Sequence, residues 1–548
     1  MALINDGKIE IEPFTLDAVL ELQMREALNE HAVLYLLARL EKDQYDKPLN
    51  AVANETQIKF KSDGKLIFTG VAKSVNIICE DEVYYLKVAA VSNTALIDVE
   101  KKRRSFQDAE MKYRTIVEKI TKWKKSGVTF GDSKAADKTV ENIVLQYDET
   151  DWEFSKRLAS HSNAVLIPKI TEATPDFIFG VKDGGSKGSL ESYDYSVHKD
   201  LSAYRIMSQC PELGFTEADA VSYTIPANDY ILNLGDMLTL DGNALYISAV
   251  NLTLAESVLK CSYTLSTKTA IASPVIYNAQ NIIGLHLPGK VLEVEEDTVQ
   301  VRLDIDEADT VDNGQDAASS YRFKYATPYS SESHTGWYVM PEMEDVVQIV
   351  FPVADEKYAY ATTAIRQAEA KTTDPRTKYL RTADGKEIKL DEKEILITAK
   401  DDTTFIRINE ETGIDIITPH PVNVTSDSTI SMTSEDDFSI TTQKNLIIKA
   451  GESILMSAKD NSSSISMENQ AAGITVYSKP PINISGDKTI DISSKDKFNI
   501  KASKDLSVAS DAKIKASGKS AVELSTGSGS SIKMSGDIDI KAKLIKEN

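Results

Sequence analysis

From about residue 386 onward, apolar side chains come in pairs at positions i and i+2, and the pairs return every eight residues. Ile406/Ile408, Ile414/Ile416, Val422/Val424, Ile430/Met432, Phe438/Ile440, Leu446/Ile448 and Ile454/Met456 form one run. After an irregular stretch the register resumes with Ile474/Val476, Ile482/Ile484, Ile490/Ile492, Phe498/Ile500 and Leu506/Val508, and later Val522/Leu524 and Ile532/Met534. Period two within a pair places both side chains on one face of a strand, and the Ser, Lys, Asp and Gly between pairs supply a corner. Repetition at a fixed period predicts a solenoid or fibre. A turn with only two inward side chains has nothing opposite it in its own chain. Three chains can each supply one face of a triangular prism, so the pattern predicts a C-terminal trimeric octad-repeat β-helix over 386–548. Roughly 20 octads at one strand spacing each give a column on the order of 90–100 Å long. Its expected core is Ile430, Met432, Phe438, Ile440, Leu446, Ile448, Ile490, Ile492, Phe498, Ile500, Leu506 and Val508.

The preceding residues also read as mainly β. Thr56-Gln-Ile-Lys-Phe-Lys, Lys65-Leu-Ile-Phe-Thr-Gly and Val83-Tyr-Tyr-Leu-Lys-Val-Ala-Ala-Val alternate, and Ser62-Asp-Gly-Lys marks a turn, which predicts a small antiparallel barrel or sandwich. A helix is expected near 106–125, capped by Ser105, stopped by Gly127, and burying Ala109, Tyr113, Ile116, Val117, Ile120 and Trp123 along one face. A second is expected near 151–161, where Thr150-Asp-Trp-Glu has capping-box spacing and Phe154 and Leu158 form the apolar face. The β pattern returns over about 165–272, with a hairpin turning at Asp241-Gly-Asn, and predicts a second small barrel. Together these make a hub over 1–275. Short strands over 283–366, among them Gly289-Lys-Val-Leu-Glu-Val, Thr298-Val-Gln-Val-Arg-Leu-Asp-Ile and Asp345-Val-Val-Gln-Ile-Val-Phe, suit a five-stranded OB-type barrel. Residues 367–385 read as a linker.

Composition narrows the function. With 84 acidic against 62 basic residues, the net charge of −22 argues against a nucleic-acid partner. The one basic run, Lys101 to Arg104, reads as a solvated stretch before the first helix, with a subunit contact as the alternative. Cys79, Cys210 and Cys261 are odd in number and widely spaced, which fits reducing conditions of synthesis. Met1-Ala-Leu-Ile-Asn-Asp-Gly lacks the basic and apolar regions of a signal peptide, and no apolar window reaches membrane-spanning length. Synthesis in the cytoplasm is expected, followed by assembly into a larger particle.

Several motifs resemble the VgrG-like hub-and-spike proteins of contractile injection systems, a group related to phage baseplate hubs and late control protein D. They are Leu28-Asn-Glu-His-Ala, Ile67-Phe-Thr-Gly, Leu96-Ile-Asp, Arg104-Ser-Phe-Gln, Leu234-Gly-Asp and, most specifically, Tyr147-Asp-Glu-Thr-Asp-Trp-Glu-Phe-Ser-Lys-Arg-Leu-Ala. Gly336-Trp-Tyr-Val-Met-Pro-Glu-Met-Glu-Asp-Val-Val is similar to a stretch of the family's OB unit but carries Glu344 where Gly is usual. The resemblance implies a homotrimer whose two barrels per subunit meet a hexameric tail tube. It also implies contacts with tube-initiator and baseplate wedge proteins and a role in a phage tail, tailocin or secretion apparatus. A receptor-binding or adhesive fibre and a spike with an unrecognised hydrolase site are the alternatives. The final pairs Ile532/Met534 and Ile538/Ile540, with Leu544, are expected to end the prism in exposed apolar and backbone groups. Related spikes carry a small PAAR-type protein at such an end.

No enzyme chemistry is expected. His31, His161, His198, His286, His334 and His420 never fall at i, i+2 or i, i+4 spacing, so no local metal motif or cofactor site is read. Gly518-Lys-Ser imitates the end of a phosphate-binding loop, but Lys513 occupies the position of its first glycine. Glu149, Asp151 and Glu153 read as helix-start chemistry, Asp183-Gly-Gly-Ser-Lys-Gly as a flexible loop, and Asp304, Asp306, Glu307 and Asp309 as an exposed acidic loop.

Overall fold

A computed structural model describes residues 9–41, 47–53, 55–182, 184–209, 214–227, 230–255, 258–272, 277–306, 320–331, 333, 335–365, 374–400, 403–458, 462–469, 473–529 and 531–534. The protein is mainly β and divides into two compact units, one ending at Pro419 and the other beginning at His420.

In the first unit the strands expected as two separate small barrels are halves of one eleven-stranded sheet. Leu16–Ala27 pairs antiparallel with Asn243–Ala255, Ala27 opposite Ala249 and Gln23 opposite Thr253, and this ladder joins the N-terminal set to the later one. Sequence periodicity cannot foresee a ladder between strands more than 200 residues apart. Two tight hairpins lie where the turn residues place them. Asp63 and Gly64, and again Asp241 and Gly242, take positive φ at both positions, the backbone that a two-residue loop between twisted strands demands. Alternate side chains from both halves, including Met24, Leu34, Phe60, Phe68, Ile225, Leu252 and Tyr263, fill a common core.

The inserted helices differ from expectation in one case and match it in the other. The first spans Tyr113–Thr121, and Tyr113, Ile116, Val117 and Ile120 are buried as read. Ser105 does not cap it. Ser105 lies in the strand Lys102–Phe106, where its N–H and Oγ–H both donate to the Asp306 carboxylate at 2.6 and 2.7 Å. Asp306 is therefore buried and bonded, not part of an exposed acidic loop, whereas Glu307 and Asp309 lie outside the described residues. The chain leaves the helical turn at left-handed Lys125, before Gly127, and Trp123 stays half-exposed. The second helix, Asp151–His161, carries the full capping box: the Glu153 N–H donates to Thr150 Oγ1 at 3.1 Å and the Thr150 N–H to Glu153 Oε2 at 3.0 Å. In the basic run Lys101 and Arg103 are exposed, but its last residue is not solvated. Arg104 is buried and pairs with Asp151, while its Nε–H donates to Gln146 at 2.7 Å.

Leu285–Glu295, Thr298–Leu303, Arg322–Tyr325, Val346–Phe351 and Tyr360–Ile365 close a five-stranded barrel. Ile143 and Leu145 pack against its core residues Val291, Val301, Phe323 and Ile349. The expected linker is partly a hairpin: Lys378–Arg381 pairs antiparallel with Glu387–Leu390, opening a five-stranded meander that continues through Glu394–Lys400, Thr404–Asn409 and Gly413–Ile417. Residues 367–373 of that linker lie outside the described residues.

Candidate interaction surface

The second unit contains two long stretches that form no secondary structure within the chain. Over 421–451 and 480–521 no residue belongs to a helix or strand, and among the described residues no backbone group there bonds to another backbone group. Instead, six-residue segments outside any helix or strand alternate with two-residue bends at 427–428, 435–436, 443–444 and 451–452, and at 479–480, 487–488, 495–496, 503–504, 511–512 and 519–520. The eight-residue period of the sequence is thus an eight-residue period of the backbone. Short hydroxyl side chains shape several corners: the N–H of Ser428 donates to Ser426 Oγ at 3.1 Å, that of Lys444 to Thr442 Oγ1 at 3.3 Å, and that of Ala512 to Ser510 Oγ at 3.2 Å.

The twelve residues expected to form a spike core all sit on these segments. Each of Ile430, Met432, Phe438, Ile440, Leu446, Ile448, Ile490, Ile492, Phe498, Ile500, Leu506 and Val508 is between 48% and 68% exposed. A stripe of exposed large apolar side chains is costly in water, and once it is covered the backbone beneath it must find hydrogen-bond partners. Fully burying one such side chain gains roughly 1.5–3 kcal/mol, so covering the stripe supplies a large driving force for association. Of the residues expected at the tip, Ile532 and Met534 belong to the strand Ser531–Met534, which pairs with Val522–Ser525. Ile538, Ile540 and Leu544 lie outside the described residues.

Not all the octad pairs behave alike. Ile406/Ile408 and Ile414/Ile416 lie on neighbouring antiparallel strands of one chain, Ile406 opposite Ile416 and Ile408 opposite Ile414. Ile454/Met456 and Ile474/Val476 flank a third strand, Ser463–Glu468, in a three-stranded meander with the rows Ile454–Met467–Ile474 and Met456–Ile465–Val476. That meander occupies the stretch that looked irregular in sequence. The two octad blocks also repeat each other sixty residues apart. Pro421, Asn423, Asp427, Thr429, Ile430, Asp436, Phe438, Lys444 and Leu446 recur as Pro481, Asn483, Asp487, Thr489, Ile490, Asp496, Phe498, Lys504 and Leu506. Each block is preceded in the chain by a three-strand meander segment ending in Gly413–Ile417 or Gly473–Ser478.

One constellation in the first unit has the composition of an acyl-transfer triad. His31 Nδ1 lies 2.8 Å from Thr94 Oγ1, and its Nε2 lies 3.0 Å from Asp98 Oδ2. Thr94 is fully buried and in turn bonds the fully buried Ser92, so neither hydroxyl meets solvent. The Asp98 carboxyl also accepts from Thr150 Oγ1 and is held below its ordinary pKa by the His31 and Thr150 hydrogen bonds, against the opposing effect of burial. His31 stacks on Trp152 with ring centroids 4.5 Å apart. The group fastens the start of the helix Asp151–His161 to the sheet. Asp151 opens the helix as read and also pairs with Arg104, while Glu149, just before the cap, pairs with Arg157. Among the described residues, no three of His, Cys, Asp and Glu gather as a metal site.

Comparison with known proteins bears on both units. Residues 398–543 match the family described as "Uncharacterized protein conserved in bacteria (DUF2345)". No curated protein matches the chain. Among solved structures, an Escherichia coli component of the type VI secretion system, described as similar to the T4 bacteriophage tail proteins gp27 and gp5, aligns at 14% identity. That alignment covers 66% of this chain and all of the other, with a TM-score of 0.46. A chain of the Francisella PdpA-VgrG complex aligns at 10% identity over 75% of this chain and 87% of its own, with a TM-score of 0.47. The 43 kDa tail protein of prophage MuSo2 from Shewanella oneidensis aligns at 8% identity over 49% of this chain and 98% of its own, with a TM-score of 0.38. The structural neighbours are VgrG-like and phage-tail proteins.

Proposed function

We propose that this chain is a structural, non-enzymatic component of a contractile injection machine, a homotrimeric hub whose C-terminal part forms an envelope-piercing spike. The observation that carries the reading is the pair of octad blocks over 421–451 and 480–521, where backbone groups have no backbone partner among the described residues and the paired apolar side chains are exposed. Three copies give each block two neighbours, so the backbone ladder and the apolar column complete together. In this reading the domains are a hub over 1–275, an OB-type barrel over 283–366, a linker over 367–385 and the spike from 386 to 548. The two halves of the large sheet then act as the two tube-like units that each subunit offers to a tail tube, with baseplate wedge proteins around them. A small PAAR-type tip protein docks on residues 532–548 through apolar and backbone contacts. Localisation follows from assembly into a phage-tail-like particle or secretion apparatus.

Native mass measurement tests the architecture, with an expected value three times the 60.3 kDa chain mass. A stable folded monomer would sink it. Cleavage of peptidoglycan or another glycan above background by the purified protein would overturn the non-enzymatic part. Deleting residues 536–548 should release a small co-purifying protein from assembled particles while leaving the trimer intact. A bare tip before any deletion refutes the docking.

A further inference from the structure

The octad blocks create a register problem. Because one octad presents the same bend spacing and the same two-row apolar stripe as the next, a chain displaced by eight residues within a block still buries nearly every pair. Strand registers that a repeat does not specify are prone to slip. Something other than the octads must distinguish the correct alignment from its neighbours.

The meander Ser453–Ala458, Ser463–Glu468 and Gly473–Ser478 lies between the two blocks and differs from them in the respect that matters. It keeps the two-row apolar face, Ile454–Met467–Ile474 and Met456–Ile465–Val476, so it is compatible with the stripe above and below. Its backbone, unlike that of the octads, is already paired within one chain, and Ser463–Glu468 has a partner strand on both sides. The step from the bend at 451 to the bend at 479 is also not a whole number of octads.

We infer that this meander is the register-setting element of the association between copies of the chain, an inference that rests on the trimeric reading above. In a chain slipped by eight residues, an outer meander strand, Ser453–Ala458 or Gly473–Ser478, already paired along one edge, lies where the octad strands of the other copies need hydrogen-bond partners on both sides. Those groups are then buried unpaired. The phase step adds a second mismatch, because bends of the slipped chain meet inter-bend segments of the others on one side of the meander. Only the aligned arrangement, meander beside meander, satisfies both blocks at once. A slip by the full sixty-residue repeat would restore the match but would leave whole octad blocks uncovered.

Disulfide mapping reads the register directly. Full-length chains carrying Ile490→Cys and Phe498→Cys are co-expressed, oxidised, and their linked peptides identified by mass spectrometry. Cross-links from 490 to 490 and from 498 to 498, with 490 to 498 absent, are expected. The same pair of substitutions is then placed in a full-length chain whose residues 453–480 are replaced by a second copy of residues 489–512, which makes the bends recur every eight residues throughout. There 490-to-498 links should appear alongside the same-position links. Their absence from that trimer would overturn the inference, because alignment would then be set elsewhere. So would 490-to-498 links at equal yield in the parent background, a result that does not depend on the replacement variant folding. Failure of the parent chains to trimerise by native mass would instead refute the trimeric reading itself.

Discussion

The Arg157 guanidinium donates from Nη1 to Glu356 Oε1 at 2.9 Å, although the two residues are 199 positions apart and their side chains are only 2% and 8% exposed. Arg157 also donates to both Glu149 oxygens and, through Nη2, to the Leu145 carbonyl at 2.7 Å. The helix Asp151–His161 is thereby bound to the closed barrel, because Glu356 stands in the turn before the barrel's last strand. The Glu149 and Glu356 carboxylates keep the guanidinium charged by holding its pKa above the ordinary value against burial.

Replacing Arg157 by Met removes one charge and leaves two carboxylates without their cation. Breaking a buried pair from one side costs about 3–5 kcal/mol. The variant should unfold at a markedly lower denaturant midpoint, followed by the fluorescence of the buried Trp152. Adding Glu149→Gln and Glu356→Gln should recover part of the loss. An unchanged midpoint in the single variant would show that the clamp contributes nothing.

Glu26 gives a prediction of opposite sign to the usual carboxylate. It is fully buried at the ladder that joins the two halves of the large sheet, and burial pushes its pKa up to about 7 despite the 2.8 Å hydrogen bond from Tyr230. A raised folded pKa means that the folded chain holds the proton while the unfolded chain, near 4.5, releases it. Stability is therefore full below pH 4.5, falls as pH rises from there to about 7, and levels off above. At about 1.4 kcal/mol per unit the loss is on the order of 3 kcal/mol. Glu26→Gln keeps an oxygen to accept from Tyr230 and should flatten this part of the profile, raising the melting temperature at pH 8 more than at pH 5. Equal shifts at both pH values would refute the assignment.

What could be read from the chain depended on the distance to the partner. The Thr150–Glu153 box and the Asp241-Gly242 turn are local, and both form as their residue types require. Ser105 has the composition of a cap, but its partner Asp306 is 201 positions away and won it for a strand. Arg104 read as a solvated charge for the same reason, since Asp151 is 47 positions on. In the candidate surface the apolar pairs were legible at every position, because i and i+2 spacing puts two side chains on one face in any strand. The same spacing could not separate octads from meanders. The signal that does so is a glycine: Gly413 and Gly473, sixty residues apart, both have positive φ at the first position of the last strand of a meander.

Glu344 stands where relatives of the barrel motif carry Gly, and the turn is nonetheless built as a glycine would build it, with φ at 72°. The Glu344 N–H donates to the Val291 carbonyl at 2.9 Å, which fixes the backbone there, and its side chain pairs with Lys290 at 3.1 Å. A left-handed conformation costs a residue with a Cβ roughly 1–2 kcal/mol. The exposed pair with Lys290 and the lower chain entropy of Glu offset part of that. Glu344→Gly should raise stability by about 0.5–1 kcal/mol in a denaturant titration, and a destabilised variant would show that the turn is not strained.

The sharpest test of the octad surface is to place charge within it. Leu446 and Ile448 share the segment between the bends at 443–444 and 451–452, both well exposed in the single chain. Substituting both by Asp therefore removes apolar surface from water-facing positions, and an isolated chain should tolerate the change within about 0.5 kcal/mol. In a three-chain column the same change buries six carboxylates close to the axis, with no cation in the stripe to pair them. The double variant should express as a soluble chain with its hub intact by circular dichroism and Trp152 fluorescence, and native mass should find it as a monomer. The substitution Asn445→Asp, on the same segment but on the opposite face from Leu446, adds one negative charge and should leave the assembly unchanged. Assembly of the double variant at wild-type yield would show that Leu446 and Ile448 face solvent in the functional state.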